Sequence, residues 1–170
     1  MTLQSYSPDP QLLRQAFSHF PSGVAAFAAE VDGRLEGMVA SSFTVGVSMD
    51  PPLVLFAVQN TSTTWPVLRG ARRLGVSVMG ADHEGPARQL ASRNKLGRFE
   101  NLDVARSEAG AVFIHGSPLW LECSVFAEIP AGDHHVVLLE VTALHNDATI
   151  APLVFHGSAF KRLSEGALVG

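Results

Sequence analysis

The chain has 170 residues, 46% apolar and 16% charged, with a formal net charge of −4. That length supports one domain with a sizeable core, and a mildly acidic chain without a Lys/Arg block is no phosphate-backbone binder, so no nucleic-acid partner is expected. A charged share below the usual ~25% suggests that more than one surface is buried, and a homo-oligomer explains this most simply. The single cysteine, Cys123, excludes an intrachain disulfide. The opening MTLQSYSPDP lacks the basic and apolar regions of an export signal, and no apolar run reaches membrane-span length. The expectation is one cytoplasmic domain over residues 1–170, with its core at about 12–163.

Asp9-Pro10 pairs a good N-cap with a good first helical residue. Leu12, Leu13, Ala16, Phe17 and Phe20 follow at helical spacing, predicting a helix to about His19. Val24 to Val31 reads as a strand and Asp32-Gly33 as a hairpin turn. From Ser42 the pattern has a period of two. Phe43, Val45, Val47 and Met49 form an apolar face, and Ser42, Thr44, Gly46 and Ser48 a small polar one. Pro51-Pro52 ends that strand, and Leu53 to Val58 reads as a buried one. A strip of small residues lets a ligand approach the backbone closely.

Thr61-Ser62-Thr63-Thr64 precede Trp65-Pro66. Hydroxyl donors at a helix start suit a phosphate, although Ser and Thr are also ordinary helix caps. A strand at Leu74–Met79, a helix at Asp82–Ser92, a polar loop or lid over Asn94–Arg106 around Arg98-Phe99, and a strand at Ala111–His115 follow. Leu119 to Ile129 alternates, with Leu119, Leu121, Cys123, Val125, Ala127 and Ile129 on one face. After the Pro130–Asp133 turn, His134 to His145 is apolar on both faces, so both must be covered. Strands at Pro152–Phe155 and Ala159–Leu163 complete a mainly β chain with a few helices, best arranged as an antiparallel barrel.

There is no G-x-G-x-x-G, P-loop or G-x-S-x-G motif. The seven histidines lack metal-ligand spacing, so no metal is expected. Cys123, on an apolar strand face, reads as an inert buried thiol. Gly132-Asp133-His134 places a carboxylate and an imidazole at a hairpin corner.

The runs GMVASSFTVGVSMDPPL, the hydroxyl segment before Trp65-Pro66, PAGDHHVVLLEV and PLVFHGSAF together resemble the flavin reductase family. The resemblance extends from about Phe17 to Leu163. It implies a homodimeric split β-barrel that binds FMN or FAD and uses NADH or NADPH to reduce it. The reduced flavin would pass to a separate flavin-dependent monooxygenase. By the same resemblance, Val39, Ala40, Ser41, Ser42, Phe43 and Thr44 would run along the isoalloxazine, and Ser62, Thr63 and Thr64 would bind the phosphate. Gly132, Asp133 and His134 match the family's GDH signature, with His134 near both rings as the catalytic candidate. Val39 stands where Thr is common and Leu139 where Gly is common. No Arg pair is dedicated to a 2′-phosphate, which favours NADH. A non-catalytic flavin or small-ligand-binding dimer, and an oxidase with tightly held FMN, are the competing readings.

Overall fold

The computed structural model describes Leu3, Ser5, Tyr6 and residues 8–163. Met1, Thr2, Gln4 and Ser7 of the opening run read for an export signal lie outside that set, as do residues 164–170 of the expected domain. The order is α1 (Pro10–Phe17), β1 (Ser22–Gly23), β2 (Ala25–Val31), β3 (Arg34–Ala40), β4 (Thr44–Met49), β5 (Pro52–Gln59), α2 (Trp65–Leu68), β6 (Leu74–Val78) and α3 (Glu84–Leu90), followed by β7 (Val104–Arg106), β8 (Val112–Ile114), β9 (Leu119–Ala131), β10 (His134–Asn146), β11 (Leu153–His156) and β12 (Ala159–Arg162). The chain is mainly β, as its alternating runs predict.

Seven strands form one antiparallel sheet in the order β3-β2-β6-β9-β10-β5-β4. The ladder does not close, because β3 and β4 are its two ends. It does curl: Phe27 on β2 and Phe56 on β5, far apart in the strand order, have ring centroids 4.1 Å apart. The cluster inside the curl includes Trp65, Leu68, Leu121, Cys123, Val137 and Leu139. Alternation along β2 sends Ala25, Phe27 and Ala29 into that cluster. Val24 and Ala26 belong instead to a second cluster on the other face, with Met79, Leu90 of α3 and Leu153 of β11. Asp32 and Gly33, at φ 50° and 73°, make the predicted hairpin turn between β2 and β3.

Three expectations need correction. Helix α1 is capped by Asp9, whose carboxylate accepts from the Gln11 N–H at 2.9 Å, yet buries none of its residues. Among the described residues its apolar stripe is largely uncovered, with Leu12 and Phe17 exposed. In β4 only Phe43, just before it, reaches the core, edge-on to Phe27; Val45, Val47 and Met49 are exposed. The cause is a register break between Thr44 and Ser48 at the sheet's edge, with Gly46 at φ 71°.

The third concerns β9, whose alternation fails after Val125. Leu139 pairs with Val125 and Leu138 with Ala127, so Phe126 is an extra residue and the faces swap. Glu128 then turns to the Trp65 side, accepting from its indole N–H at 3.3 Å and pairing with Arg69 at 3.2 Å. Val125, Phe126 and Ile129 are left exposed. The loop expected over Asn94–Arg106 ends in a short strand, β7, paired with β8.

Candidate functional site

A cavity of about 650 Å³ opens beside the end of β3. Val39, Ala40, Ser41 and Ser42 line one wall, Ala57, Val58 and Gln59 of β5 the floor, and Thr61 to Thr64 the far end. His134 also reaches it, because His134 pairs with Gln59 in register. Residues from four stretches of sequence thus meet at one place.

The wall stays open because its side chains are small. The chain leaves β3 at Ala40 and returns to the sheet at Thr44. Between them, Ser42 Oγ accepts from the Ala57 N–H at 2.9 Å and donates to the Ala57 carbonyl at 3.1 Å. A hydroxyl takes the place of a backbone rung just beyond the β4–β5 ladder, whose pairing of Thr44 with Leu55 lies next to it.

At the far end, Ser62 Oγ accepts from the Trp65 N–H at 3.1 Å, which leaves its own O–H free to donate. Helix α2 is only four residues long, so the hydroxyls and nearby cations define this end more than any helix dipole. Arg93 and Arg98 both line the cavity. Arg98 donates to the Gly37 carbonyl at 2.8 Å, the Ser92 carbonyl at 2.8 Å and Thr64 Oγ1 at 2.9 Å. Burial lowers the Arg98 pKa, Glu36 opposes that, and a guanidinium keeps its charge regardless. Lys95 is held by the Thr63 carbonyl at 2.9 Å. The loop carrying these cations is fixed by Gln89, whose amide nitrogen contacts the carbonyls of Gly97, Arg98 and Glu100. Phe99 anchors it over Gly37, where a Cβ would lie 2.5 Å from Phe99 Cζ.

His134 stands at the other end, its Nδ1 2.6 Å from Asp133 Oδ1. That hydrogen bond, then the imidazole's charge, lowers the Asp133 pKa. Asn60 ties the corner to the hydroxyl run: its N–H donates to the Asp133 carbonyl at 2.9 Å and its side chain to the Gly132 carbonyl at 3.2 Å. Gly132 turns the corner at φ 66°.

Of the residues singled out from sequence, Val39 to Ser42, Ser62 to Thr64 and His134 line the cavity. Phe43 and Thr44 line a second cavity of about 710 Å³, which shares Ser41 and Ser42 with the first. Gly132 and Asp133 line neither, and shape the corner behind His134. Leu139 is fully buried in the core and lines neither cavity. Arg93, Lys95 and Arg98 were not foreseen as site residues; their signal was three cations within six positions following a helix. Among the described residues no group of three or more His, Cys, Asp or Glu could hold a metal ion.

The donor set fits a planar ring along a small-residue strand, with an attached phosphate among hydroxyls and cations. A curled antiparallel sheet with such a groove is a flavin-binding type of scaffold. Residues 17–164 match the flavin reductase like domain, and the chain belongs to that family. A flavin reductase of Pseudomonas putida is 33% identical over 153 residues, covering 89% of each chain. The actinorhodin polyketide dimerase of Streptomyces coelicolor is 35% identical over 160 residues, 94% of this chain and 89% of that one. The Streptomyces globisporus C-1027 NADH:FAD oxidoreductase SgcE6, solved with NAD and FAD fragments, superposes with a TM-score of 0.88 at 30% identity. That match covers 97% of this chain and 99% of the other.

Proposed function

We propose that this protein is an NAD(P)H:flavin oxidoreductase that reduces FMN or FAD and hands the reduced flavin to a separate monooxygenase in the cytoplasm. The observation that carries the reading is the single cavity joining Val39–Ser42, Thr61–Thr64, Arg93, Arg98 and His134. The bound cofactors supply the chemistry, a hydride moving from a nicotinamide to a flavin. The chain's task is to hold two rings in line and keep them close. Backbone groups of Val39 to Ser42 would lie along the isoalloxazine, with Phe43 and Thr44 at the adjoining cavity, and Ser62, Thr63 and Thr64 would donate to the phosphate. Gly132 and Asp133 set the corner from which His134 orients the nicotinamide, with the Asp133 carboxylate fixing the ring through Nδ1.

The working molecule is a homodimer of split barrels. Support comes from the uncovered stripe of α1 and from the exposed Val45, Val47, Met49, Val125, Phe126 and Ile129. Among the described residues no helix is long and apolar enough to cross a membrane.

The test is steady-state NADH and NADPH oxidation by purified protein, with and without added FMN or FAD. Oxidation that depends on free flavin supports the reading; none with any pairing, in a protein that still binds flavin, rejects it for a binding module. His134→Ala is expected to weaken nicotinamide affinity or hydride transfer, and unchanged values for both would remove that role. The relative named as a dimerase favours a second reading, a flavoprotein that retains its flavin and acts on an organic substrate. Flavin retained through purification, with slow NADH turnover, would support it.

A further inference from the structure

Thr64 is buried, with 5% of its surface exposed, and its Oγ1 accepts from Arg98 at 2.9 Å. No acceptor for the Thr64 hydroxyl proton is present among the described residues. A hydroxyl that accepts from a cation still has one proton to donate, and Thr64 lines the cavity. Arg98 is itself held from three directions, by the carbonyls of Gly37 and Ser92 and by Thr64. It is thus a fixed donor whose place is set by β3 and by the end of α3. Phe99, seated over Gly37, fixes the same loop from the next position.

We propose that Arg98 is a positioning residue that keeps the Thr64 hydroxyl oriented as a donor into the cavity, and so selects flavins bearing a 5′-phosphate over riboflavin. This rests on the flavin reading above. By occupying an acceptor site on Oγ1, the guanidinium leaves the hydroxyl proton free for an anion. Its charge also makes that hydroxyl a better donor. Lysine cannot replace it, because one ammonium on a flexible stem cannot hold this planar, three-sided arrangement.

The experiment titrates FMN and riboflavin against wild-type protein, Arg98→Gln, Arg98→Lys, Thr64→Val and the Arg98→Gln/Thr64→Val double variant, following flavin fluorescence. Wild type is expected to bind FMN more tightly than riboflavin. Each single variant should lower that preference about tenfold, the scale of one hydrogen bond to a charged group. The double variant should lose no more than the worse single. Effects that add would overturn the relay through Thr64, as would recovery in Arg98→Lys, because both indicate a simple charge. A preference left at the wild-type value by either Arg98→Gln or Thr64→Val overturns the proposal. If Arg98→Gln does not fold, Thr64→Val carries the test, since valine matches threonine in shape and leaves the Gly37 and Ser92 contacts in place. Wild type that binds both flavins equally overturns this inference alone; wild type that binds neither overturns the flavin reading with it.

Discussion

The hydroxyl of Ser42 makes both a donated and an accepted hydrogen bond with one residue, Ala57. This replaces a backbone rung just beyond the β4–β5 ladder. Ser42→Ala removes both bonds and keeps the cavity wall small. It is expected to lower stability by about 1 kcal/mol, read as a drop in the urea midpoint. Flavin affinity should fall as well, because the wall is no longer tied to its floor. Unchanged midpoint and affinity would show that the two bonds are dispensable.

Two buried glycines separate a soft obstacle from a hard one. A Cβ at Gly37 meets the Phe99 ring, which can move, and the Phe27 carbonyl at 3.1 Å. A Cβ at Gly75 meets the backbone of Val112, which cannot move without disturbing β8. Gly37→Ala should fold with a loss of roughly 1–3 kcal/mol and weakened FMN binding, as Arg98 follows Phe99. Gly75→Ala should be the more destabilising of the two. Thermal melts of both variants decide the order, and the reverse order would be contrary to this packing.

Acid should weaken the fold through His83. Its Nδ1 accepts from the Gly80 N–H at 3.1 Å, and desolvation lowers its pKa despite a backbone hydrogen bond to His115. The unfolded chain therefore binds the proton more readily than the native one. The associated stability is present above the unfolded value of about 6.5, and is lost as pH falls from there toward the lower folded value. Urea midpoints at pH 7.5 and pH 5.5 should differ. His83→Gln, which keeps an acceptor and cannot titrate, should reduce that difference.

Cys123 is fully buried, and burial pushes its thiol pKa up to about 12, with Glu122 adding to the effect. An aromatic disulfide reagent should label it only through unfolding. The labelling rate should therefore follow urea concentration as unfolding does. Rapid labelling of native protein would contradict the placement.

The exposed strip on β4 and β9 gives the dimer a direct test. Phe126 is 51% exposed, Met49 85% and Val45 57%. Phe126→Asp or Val45→Asp should shift the protein toward monomer in sedimentation. A wild-type monomer at micromolar concentration would remove the expectation at its root.

Much of the fold was legible because local chemistry and tertiary need agree. Asp9-Pro10 starts a helix, Asp32-Gly33 turns a hairpin, and the apolar run 53–58 is a buried strand in the structure. The hidden parts depend on what is not local. Alternation through Ile129 looks unbroken in sequence, yet pairing with β10 inserts Phe126 as an extra residue and swaps the faces. The apolar stripes of α1 and β4 were legible as amphipathic, but sequence periodicity cannot say against which molecule they pack. At the site, hydroxyls and the Gly-Asp-His corner stood out by type. Arg98 marked the centre of a loop or lid but not a site residue, because its place comes from joining carbonyls at positions 37 and 92 to a hydroxyl at 64.

Strand β5 runs from Pro52 to Gln59 and pairs with residues 134–140 of β10. During synthesis, some 75 residues must emerge after Gln59 before it can meet His134. Until then the ligand groove has no floor in its final place, and Leu53, Val54 and Phe56, fully or nearly fully buried at the end, lack their main neighbour. Pairing across such a separation is slow because a long loop must close first. The nascent chain therefore leaves a strongly apolar strand without its main partner through those 75 residues of synthesis, and a shortened chain lacking β10 should collect in the insoluble fraction.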